Sequence, residues 1–123
     1  MSLVQIHAGL ANSSVLFSLI ISAYGFWQYF RKQGISGNFW GVLAVGELLY
    51  VAQGLAGVIL FLTVPARPET WRWVHILYGI VAVITLPGTF AYTKGKDERR
   101  EALVYGVVGL FLTGIVLRAI TTA

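Results

Sequence analysis

Residues 39–64, with the sequence FWGVLAVGELLYVAQGLAGVILFLTV, decide what kind of molecule this chain is. Glu47 is the only charged residue in this stretch, which is long enough to cross about 30 Å of hydrocarbon as an α-helix. Three further apolar stretches lie at residues 8–30, 73–92 and 102–120. None of the four has the strongly polar face of a soluble amphipathic helix. The sequence therefore predicts an all-α integral membrane protein with four transmembrane helices.

The composition excludes several classes of protein. Of the 123 residues, 57% are hydrophobic and 11% are charged, whereas about 25% are charged in an average soluble domain. The chain has no cysteine, which excludes a disulfide framework, an iron–sulfur site and a c-type haem attachment. The excess of basic residues lies beside membrane segments, so we interpret it as a topology signal and not as a nucleic-acid surface. No phosphate-binding glycine loop or hydrolase motif is present, and a hydrolytic enzyme is not expected.

The connections between the four stretches are short and contain turn residues. Residues 33–38 include two glycines and offer Ser36 or Asn38 as a start for the second helix. Residues 65–70 contain two prolines, which cannot continue a helix. Short links imply antiparallel neighbours. We therefore expect residues 1–123 to form a single domain, an up-down-up-down bundle built from two tandem helix pairs.

The basic residues are distributed unevenly between the two ends of this bundle. Six lie in the first and third connections and three lie at the opposite end. The positive-inside rule then places both termini outside the cytoplasm, in the inner or plasma membrane of a prokaryote. Residues 94–101 mix both signs of charge and are interpreted as a solvated connection and helix start. The six are Arg31, Lys32, Lys94, Lys96, Arg99 and Arg100, and the three are Arg67, Arg72 and Arg118.

The two halves of the chain resemble each other at an offset of 68 residues. The only two histidines, His7 and His75, coincide in this register, and each precedes a long apolar stretch. Several scarce residue types coincide as well, including two glycines of each second helix. Repeated halves of membrane proteins often hold a binding site at their interface. The further coincidences are Ala23-Tyr24 with Ala91-Tyr92, Gly41 with Gly109 and Gly46 with Gly114.

Both histidines lie on a face of small residues, which is the face that packs inward in membrane helices. His7 continues a stripe on the first helix that includes Ser14, Ser18, Ser22 and Gly25. His75 shares its face on the third helix with Gly79. Because these two helices run in the same direction, the histidines should lie at one level, on diagonal helices of the bundle.

Two facing imidazoles are a natural ligand pair for one haem iron, since the porphyrin supplies the other four ligands. Glycines at positions 54, 57 and 79 would leave room beside a flat macrocycle, and Arg118 and Arg72 could pair with haem propionates. The hypothetical site thus consists of His7, His75, Gly54, Gly57, Gly79, Arg72 and Arg118, with haem b as the cofactor. The alternative is that both histidines are structural and bond to headgroups or loop carbonyls.

Glu47 raises a separate hypothesis, because a carboxylate inside a membrane is expensive and often functional. Tyr50 and Gln53 follow on the same helix face, and Tyr24 should reach a comparable depth from the first helix. Glu47 could be a proton or cation site, could hold a quinone head group, or could sit neutral in a hydrogen bond to Tyr24. The four intramembrane polar candidates are therefore Glu47, Tyr24, Tyr50 and Gln53.

The arrangement of two helix pairs, each opening with an inward histidine, resembles small b-type cytochromes and the related membrane factors of haem-copper oxidases. His75-Ile76, with Pro87 twelve positions later, a basic connection and a glycine-rich last helix, is similar to the second group. Those families commonly carry a further histidine on the second helix of each pair, and this chain has none. The resemblance therefore implies at most one haem, in electron transfer or in an accessory subunit of a respiratory complex.

Two other functional classes remain open from the sequence. One is a haemless structural subunit of a larger respiratory or photosynthetic complex, in which a tryptophan-rich lipid-facing surface binds partners and pigments, and a quinone is a further possible partner. The other is a small proton-coupled transporter or channel, in which Glu47 couples transport and an oligomer forms the pathway. In each case the immediate partner is the lipid bilayer, and the chain is expected to act as an oligomer or a subunit.

Overall fold

A computed structural model of the protein describes residues 2–63 and 69–122, with the side chains of residues 69–72 and 122 outside the description. These residues form four α-helices: α1 (Leu3–Phe30), α2 (Gly37–Thr63), α3 (Glu69–Tyr92) and α4 (Arg99–Thr122). Each contains a segment long and apolar enough to cross a membrane. The predicted all-α fold with four transmembrane helices is therefore confirmed.

The helices begin earlier than the apolar stretches that predicted them, because polar residues cap and extend them. At α1, Ser2 and Gln5 form a capping box, in which the Ser2 hydroxyl accepts from Gln5 N at 3.2 Å and Gln5 Oε1 accepts from Ser2 N at 3.0 Å. At α2, the Ser36 hydroxyl accepts from Phe39 N at 3.2 Å, which confirms Ser36 as the predicted start. The predicted turn at residues 65–70 lies largely outside the described residues.

The four helices pack as a ring in which neighbours in sequence are neighbours in space. Helix α1 contacts α2 and α4, and α3 contacts the same two helices from the opposite side. Helices α1 and α3 are therefore diagonal, as expected. Both described chain ends lie at one end of the bundle, which we call the terminal end. The connections 31–36 and 93–98 lie at the other, which we call the loop end.

Helices α1 and α4 approach so closely that only glycine fits at their crossing. A Cβ atom on Gly25 would lie 2.5 Å from Gly106 N and 2.7 Å from Ala102 O. A Cβ atom on Gly109 would lie 2.5 Å from Ser22 N. Close backbone approach at small residues is how helices associate in lipid, where the hydrophobic effect between helices is absent. The small-residue face of α1 is thus buried against α4.

At the loop end the two connections are joined by hydrogen bonds. Ile35 N donates to Asp97 O at 2.7 Å, which ties the first connection to the third. Arg99 donates from Nε to the Tyr29 carbonyl at 2.8 Å, and its guanidinium lies 4.1 Å from the centre of the Tyr29 ring. These contacts fix the α1–α2 and α3–α4 pairs relative to each other at the end remote from the histidines.

Candidate functional site

His7 and His75 meet across the diagonal of the bundle near the terminal end. Their ring centres lie 6.1 Å apart, and the ring planes make an angle of 76°. Each side chain is half-buried between the flanking helices α2 and α4. The two residues that the sequence singled out from opposite halves of the chain are therefore neighbours in space.

The His75 ring is held by the backbone of α4. Its Nδ1 lies 2.8 Å from the carbonyl oxygen of Ala119. A carbonyl oxygen can only accept a hydrogen bond, so Nδ1 carries the proton in the neutral ring and Nε2 keeps its lone pair. This is the tautomer in which a histidine binds a metal through Nε2 while a second residue orients the ring.

The His7 ring rests against α2, in space that Gly57 leaves open. A Cβ atom on Gly57 would lie 3.4 Å from Cε1 of His7, and the backbone of Gln53 adjoins the same ring. Nδ1 of His7 is buried and has no hydrogen-bond partner among the described residues. His7 is thus held against α2 by Gly57 and by a hydrogen bond with the backbone of Gln53, whereas His75 is held by the backbone of α4.

The two other glycines of the predicted site, Gly54 and Gly79, have different surroundings. A Cβ atom on Gly54 would lie 3.5 Å from a methyl group of Val83, so Gly54 serves the contact between α2 and α3. Gly79 lies one turn below His75, and a Cβ atom there would have no neighbour within 4 Å. Space is therefore open beside α3 one turn below His75.

Of the two predicted arginines, Arg118 is the one whose side chain the structure describes. Arg118 is exposed in the last turns of α4, and it precedes Ala119, whose carbonyl faces His75. The side chain of Arg72 lies outside the described residues. Arg118 therefore reaches the predicted level of the bundle, and the role of Arg72 stays a prediction.

The separation of the two rings is compatible with one metal held by both, and equally with a direct T-shaped ring contact, whose centres lie about 4.5–7 Å apart. A metal–nitrogen bond of about 2.0–2.1 Å, extended by roughly 1.1 Å from nitrogen to ring centre, would place two such rings about 6.2–6.4 Å apart. The observed distance is 6.1 Å. The described residues contain no group of three or more His, Cys, Asp or Glu side chains that could hold a bare metal ion. Two imidazoles alone are the protein ligands of a six-coordinate haem, in which the porphyrin supplies the other four.

The intramembrane polar residues do not form one cluster. The Tyr50 hydroxyl lies 2.6 Å from the Ser18 hydroxyl, which links α2 to α1 in the core. Tyr24 stacks on Phe39 with ring centres 4.7 Å apart, and its hydroxyl lies 3.4 Å from that of Ser36. The sequence raised the possibility of a hydrogen bond between Tyr24 and Glu47. In the structure the Tyr24 hydroxyl bonds to Ser36 at the start of α2 instead.

Glu47 and Gln53 each keep a buried oxygen without a partner. Both side chains are half-buried on α2, and Oε1 of each has no hydrogen-bond partner among the described residues. Buried polar atoms usually have a partner, so each of these atoms is a candidate contact for a ligand, a water or a rearranged side chain. Gln53 lies beside His7, whereas Glu47 lies six residues, or about 9 Å along the helix, nearer the loop end.

One buried carboxyl group was missed from the sequence. Residues 94–101 were expected to be solvated, but Glu101 is fully buried, which corrects that prediction for this residue. Its Oε2 pairs with Arg100 Nε at 3.2 Å, and its Oε1 has no partner among the described residues. The helical spacing in the sequence does indicate this burial, because Glu101 lies one turn before Tyr105 and two turns before Gly109 on the inward face of α4.

An apolar groove of about 410 Å³ runs along the outside of the bundle between α3 and α4. It does not include either histidine, and it is open to the surrounding lipid. We therefore place the candidate site at the histidines, where the chemistry lies, and not at this groove. Its lining residues are Val81, Ile84, Thr85, Gly88, Thr89, Tyr92, Val104, Val108 and Phe111.

Comparison with models of protein families, with curated proteins and with solved structures finds no match to this chain.

Proposed function

We propose that this integral membrane protein binds one b-type haem between His7 and His75 and uses it for electron transfer. The observation that carries the proposal is that the two histidine rings meet with their centres 6.1 Å apart, close enough for both to hold one haem iron. The hydrogen bond from His75 to Ala119 supports it, because it leaves Nε2 of that ring as the ligand atom.

In this proposal the chain holds the haem through the two histidine rings and encloses it between the helices. His7 and His75 would hold the iron, Gly79 would leave room for the haem, and Arg118 would pair with a propionate at the terminal end. When bound, the haem supplies one-electron chemistry between the ferric and ferrous states. The helices would keep water away from this group, and the Ala119 carbonyl would keep the His75 ring oriented.

The electron partner that fits a haem inside a lipid bilayer is a quinone or a larger respiratory or photosynthetic complex. The resemblance to small b-type cytochromes and to membrane factors of haem-copper oxidases agrees with this assignment. We propose the same haem site for a chain that acts as an accessory subunit of such a complex.

The absorption spectrum of the purified protein tests the proposal. We expect a Soret band, one haem per chain, and loss of the band in His75→Ala and in His7→Ala. Tyr78→Phe, three residues after His75 on the same helix, is the matched control and should keep the band. Circular dichroism should show that all variants remain helical. A wild-type chain that stays colourless when haem is supplied during expression and again after purification would refute the proposal.

A second function, proton-coupled transport, is supported by the unpartnered oxygen of the half-buried Glu47. A carboxyl group at this depth can take up and release a proton in the course of transport. Proteoliposomes with an internal pH-sensitive dye test this: Glu47→Gln should abolish proton flux, and Glu98→Gln, an exposed carboxyl, should not. Flux that is equal in Glu47→Gln and the wild type would exclude it.

A further inference from the structure

The apolar groove between α3 and α4 has the dimensions of a single hydrocarbon chain. On α3 it extends from Val81 to Tyr92, a rise of about 16 Å, which is roughly half the thickness of the hydrocarbon layer of a membrane. Its volume of about 410 Å³ over this length gives a mean cross-section of roughly 25 Å², or about 5 Å across. An α-helix with its side chains is about 10–12 Å wide. The groove therefore fits an acyl chain of one leaflet and is too narrow to take in a helix.

The lining of the groove also suits a hydrocarbon chain. A Cβ atom on Gly88 would have no neighbour within 4 Å, so the missing side chain of this glycine contributes to the open space. The hydroxyls of Thr85 and Thr89 donate to the carbonyls of Val81 and Thr85 within α3. Because both protons are used inside the helix, neither is left for a polar ligand. Among its lining residues, the groove thus keeps a free side-chain donor only at Tyr92, at the loop end.

A cationic side chain lies beyond the loop end of this groove. Arg100 comes one helical turn before Val104 and two before Val108, so it shares the face of α4 that lines the groove. Its side chain is 77% exposed. Side chains of a helix lean toward its N-terminus, which for α4 is the loop end. The Arg100 side chain therefore extends from the groove toward the membrane surface, where lipid head groups lie.

A buried carboxyl group holds the Arg100 guanidinium in place. Nε of Arg100 lies 3.2 Å from Oε2 of Glu101, whose side chain is fully buried. This contact uses Nε and leaves both Nη groups, with four N–H bonds, to an acceptor outside the protein. A guanidinium fork matches the paired oxygens of a phosphate. The burial of Glu101 thus has a consequence at the surface, because it fixes a phosphate-binding group next to an apolar groove.

The other charged side chains of the third connection are placed unequally around Arg100. Lys94 and Lys96 are exposed just after the end of α3, which forms the other wall of the groove. Glu98 lies two residues before Arg100, about 200° around the helix and so on the opposite side of α4. The backbone carbonyl of Asp97 accepts a hydrogen bond from the first connection, which places Asp97 on the side away from the groove. Positive charge thus predominates at the loop end of the groove.

We propose that the groove between α3 and α4 binds one anionic phospholipid from the leaflet at the loop end. The lipid phosphate accepts hydrogen bonds from the Nη groups of Arg100, and one acyl chain lies along the groove past Gly88 toward Val81. The two lysines favour a head group with a net negative charge over a zwitterionic one. The site lies apart from the two histidines, and it does not depend on the proposed haem function.

Native mass spectrometry of the detergent-solubilised protein, titrated with phosphatidylglycerol and separately with phosphatidylcholine, tests the head-group contact. We expect one phosphatidylglycerol per chain, bound more tightly than phosphatidylcholine. One basic residue near a membrane surface changes anionic-lipid affinity about fivefold, so Arg100→Gln should weaken phosphatidylglycerol binding by about this factor. Arg31→Gln is the matched control, because it removes an exposed charge at the loop end from α1, the helix diagonal to α3, and it should leave the affinity unchanged.

The groove itself is tested with Gly88→Leu, which puts a side chain into the space of the acyl chain. This variant should lose the one-to-one lipid complex, whereas Gly41→Leu, at an equally open glycine of α2, should keep it. Circular dichroism should show that all four variants remain helical. Equal wild-type affinity for the two lipids, equal weakening in Arg100→Gln and Arg31→Gln, or an intact complex in Gly88→Leu would each overturn the proposal. A wild-type dimer that is lost in Gly88→Leu would overturn it in favour of a second copy of the chain at this groove.

Discussion

Replacing Gly25 by alanine tests whether the crossing of α1 and α4 holds the bundle together. The added Cβ atom would lie 2.5 Å from Gly106 N and 2.7 Å from the carbonyl oxygen of Ala102. Both neighbours are backbone atoms, so no side-chain rotation can relieve the contact. The two helices must therefore move apart, or one of them must bend.

The size of the movement follows from the distances. An ordinary contact of a Cβ atom begins at 3.4 Å, so α1 and α4 must separate by at least 0.9 Å at this point. Overpacking of this kind costs about 1–3 kcal/mol in a well-packed core. The separation also loosens the buried neighbours of the crossing, because dispersion contacts weaken steeply over fractions of an ångström. We expect Gly25→Ala to lower the free energy of unfolding by about 1–3 kcal/mol.

The same substitution elsewhere on α1 provides the control. Gly9 is exposed in this helix, and a Cβ atom there would have no neighbour within 4 Å. Gly9→Ala should therefore leave stability unchanged or raise it by up to about 1 kcal/mol, because alanine favours the helix. Both variants can be unfolded reversibly in mixed micelles and followed by tryptophan fluorescence. A difference between them below about 0.5 kcal/mol would refute the crossing as a source of stability.

Three further substitutions test individual contacts. Gly57→Val should displace the His7 ring, since a Cβ atom would already touch Cε1 at 3.4 Å and valine adds two methyl groups beyond it, and haem affinity, measured by titrating the purified protein, should fall at least tenfold. A double-mutant cycle of Ser18→Ala and Tyr50→Phe should give a coupling energy of about 0.6 kcal/mol and at most about 1.7 kcal/mol, and zero coupling would contradict the 2.6 Å contact. Ser36→Ala should lower stability by about 0.5–2 kcal/mol through loss of the α2 cap while Ser36→Asp retains it, and equal stability of the two would contradict the cap.

The fold could be predicted from the sequence because lipid leaves the chain few choices. Backbone groups in hydrocarbon must be satisfied within the segment, so an apolar stretch such as residues 39–64 can only be a helix. Short connections then make neighbouring helices antiparallel. The meeting of His7 and His75 followed from their common offset and from the shared direction of α1 and α3.

The details of the site could not be predicted, because they depend on which side of each helix faces inward. In an apolar helix both sides have similar composition, so Gly54 and Gly79 look alike in the sequence. One of them contacts Val83 and the other borders open space. The burial of Glu101 was missed for a related reason. Its neighbours in sequence are charged, and only its spacing from Tyr105 shows that it lies on the inward face.

The two halves of the chain are related by the internal repeat, but their glycines pack differently. Gly41 and Gly109 coincide in the 68-residue register, yet a Cβ atom would lie 2.5 Å from Ser22 N at Gly109 and would have no neighbour within 4 Å at Gly41. The α1–α4 crossing is completed by Gly25 and Gly106, whose counterparts in the register are Thr93 and Asn38. The repeat thus places four helices and two histidines, while unrepeated glycines draw α4 onto α1. The histidines at the terminal end are held with the same asymmetry: His75 lies against the Ala119 carbonyl of α4, whereas His7 contacts Gly57 and the backbone of Gln53 on α2.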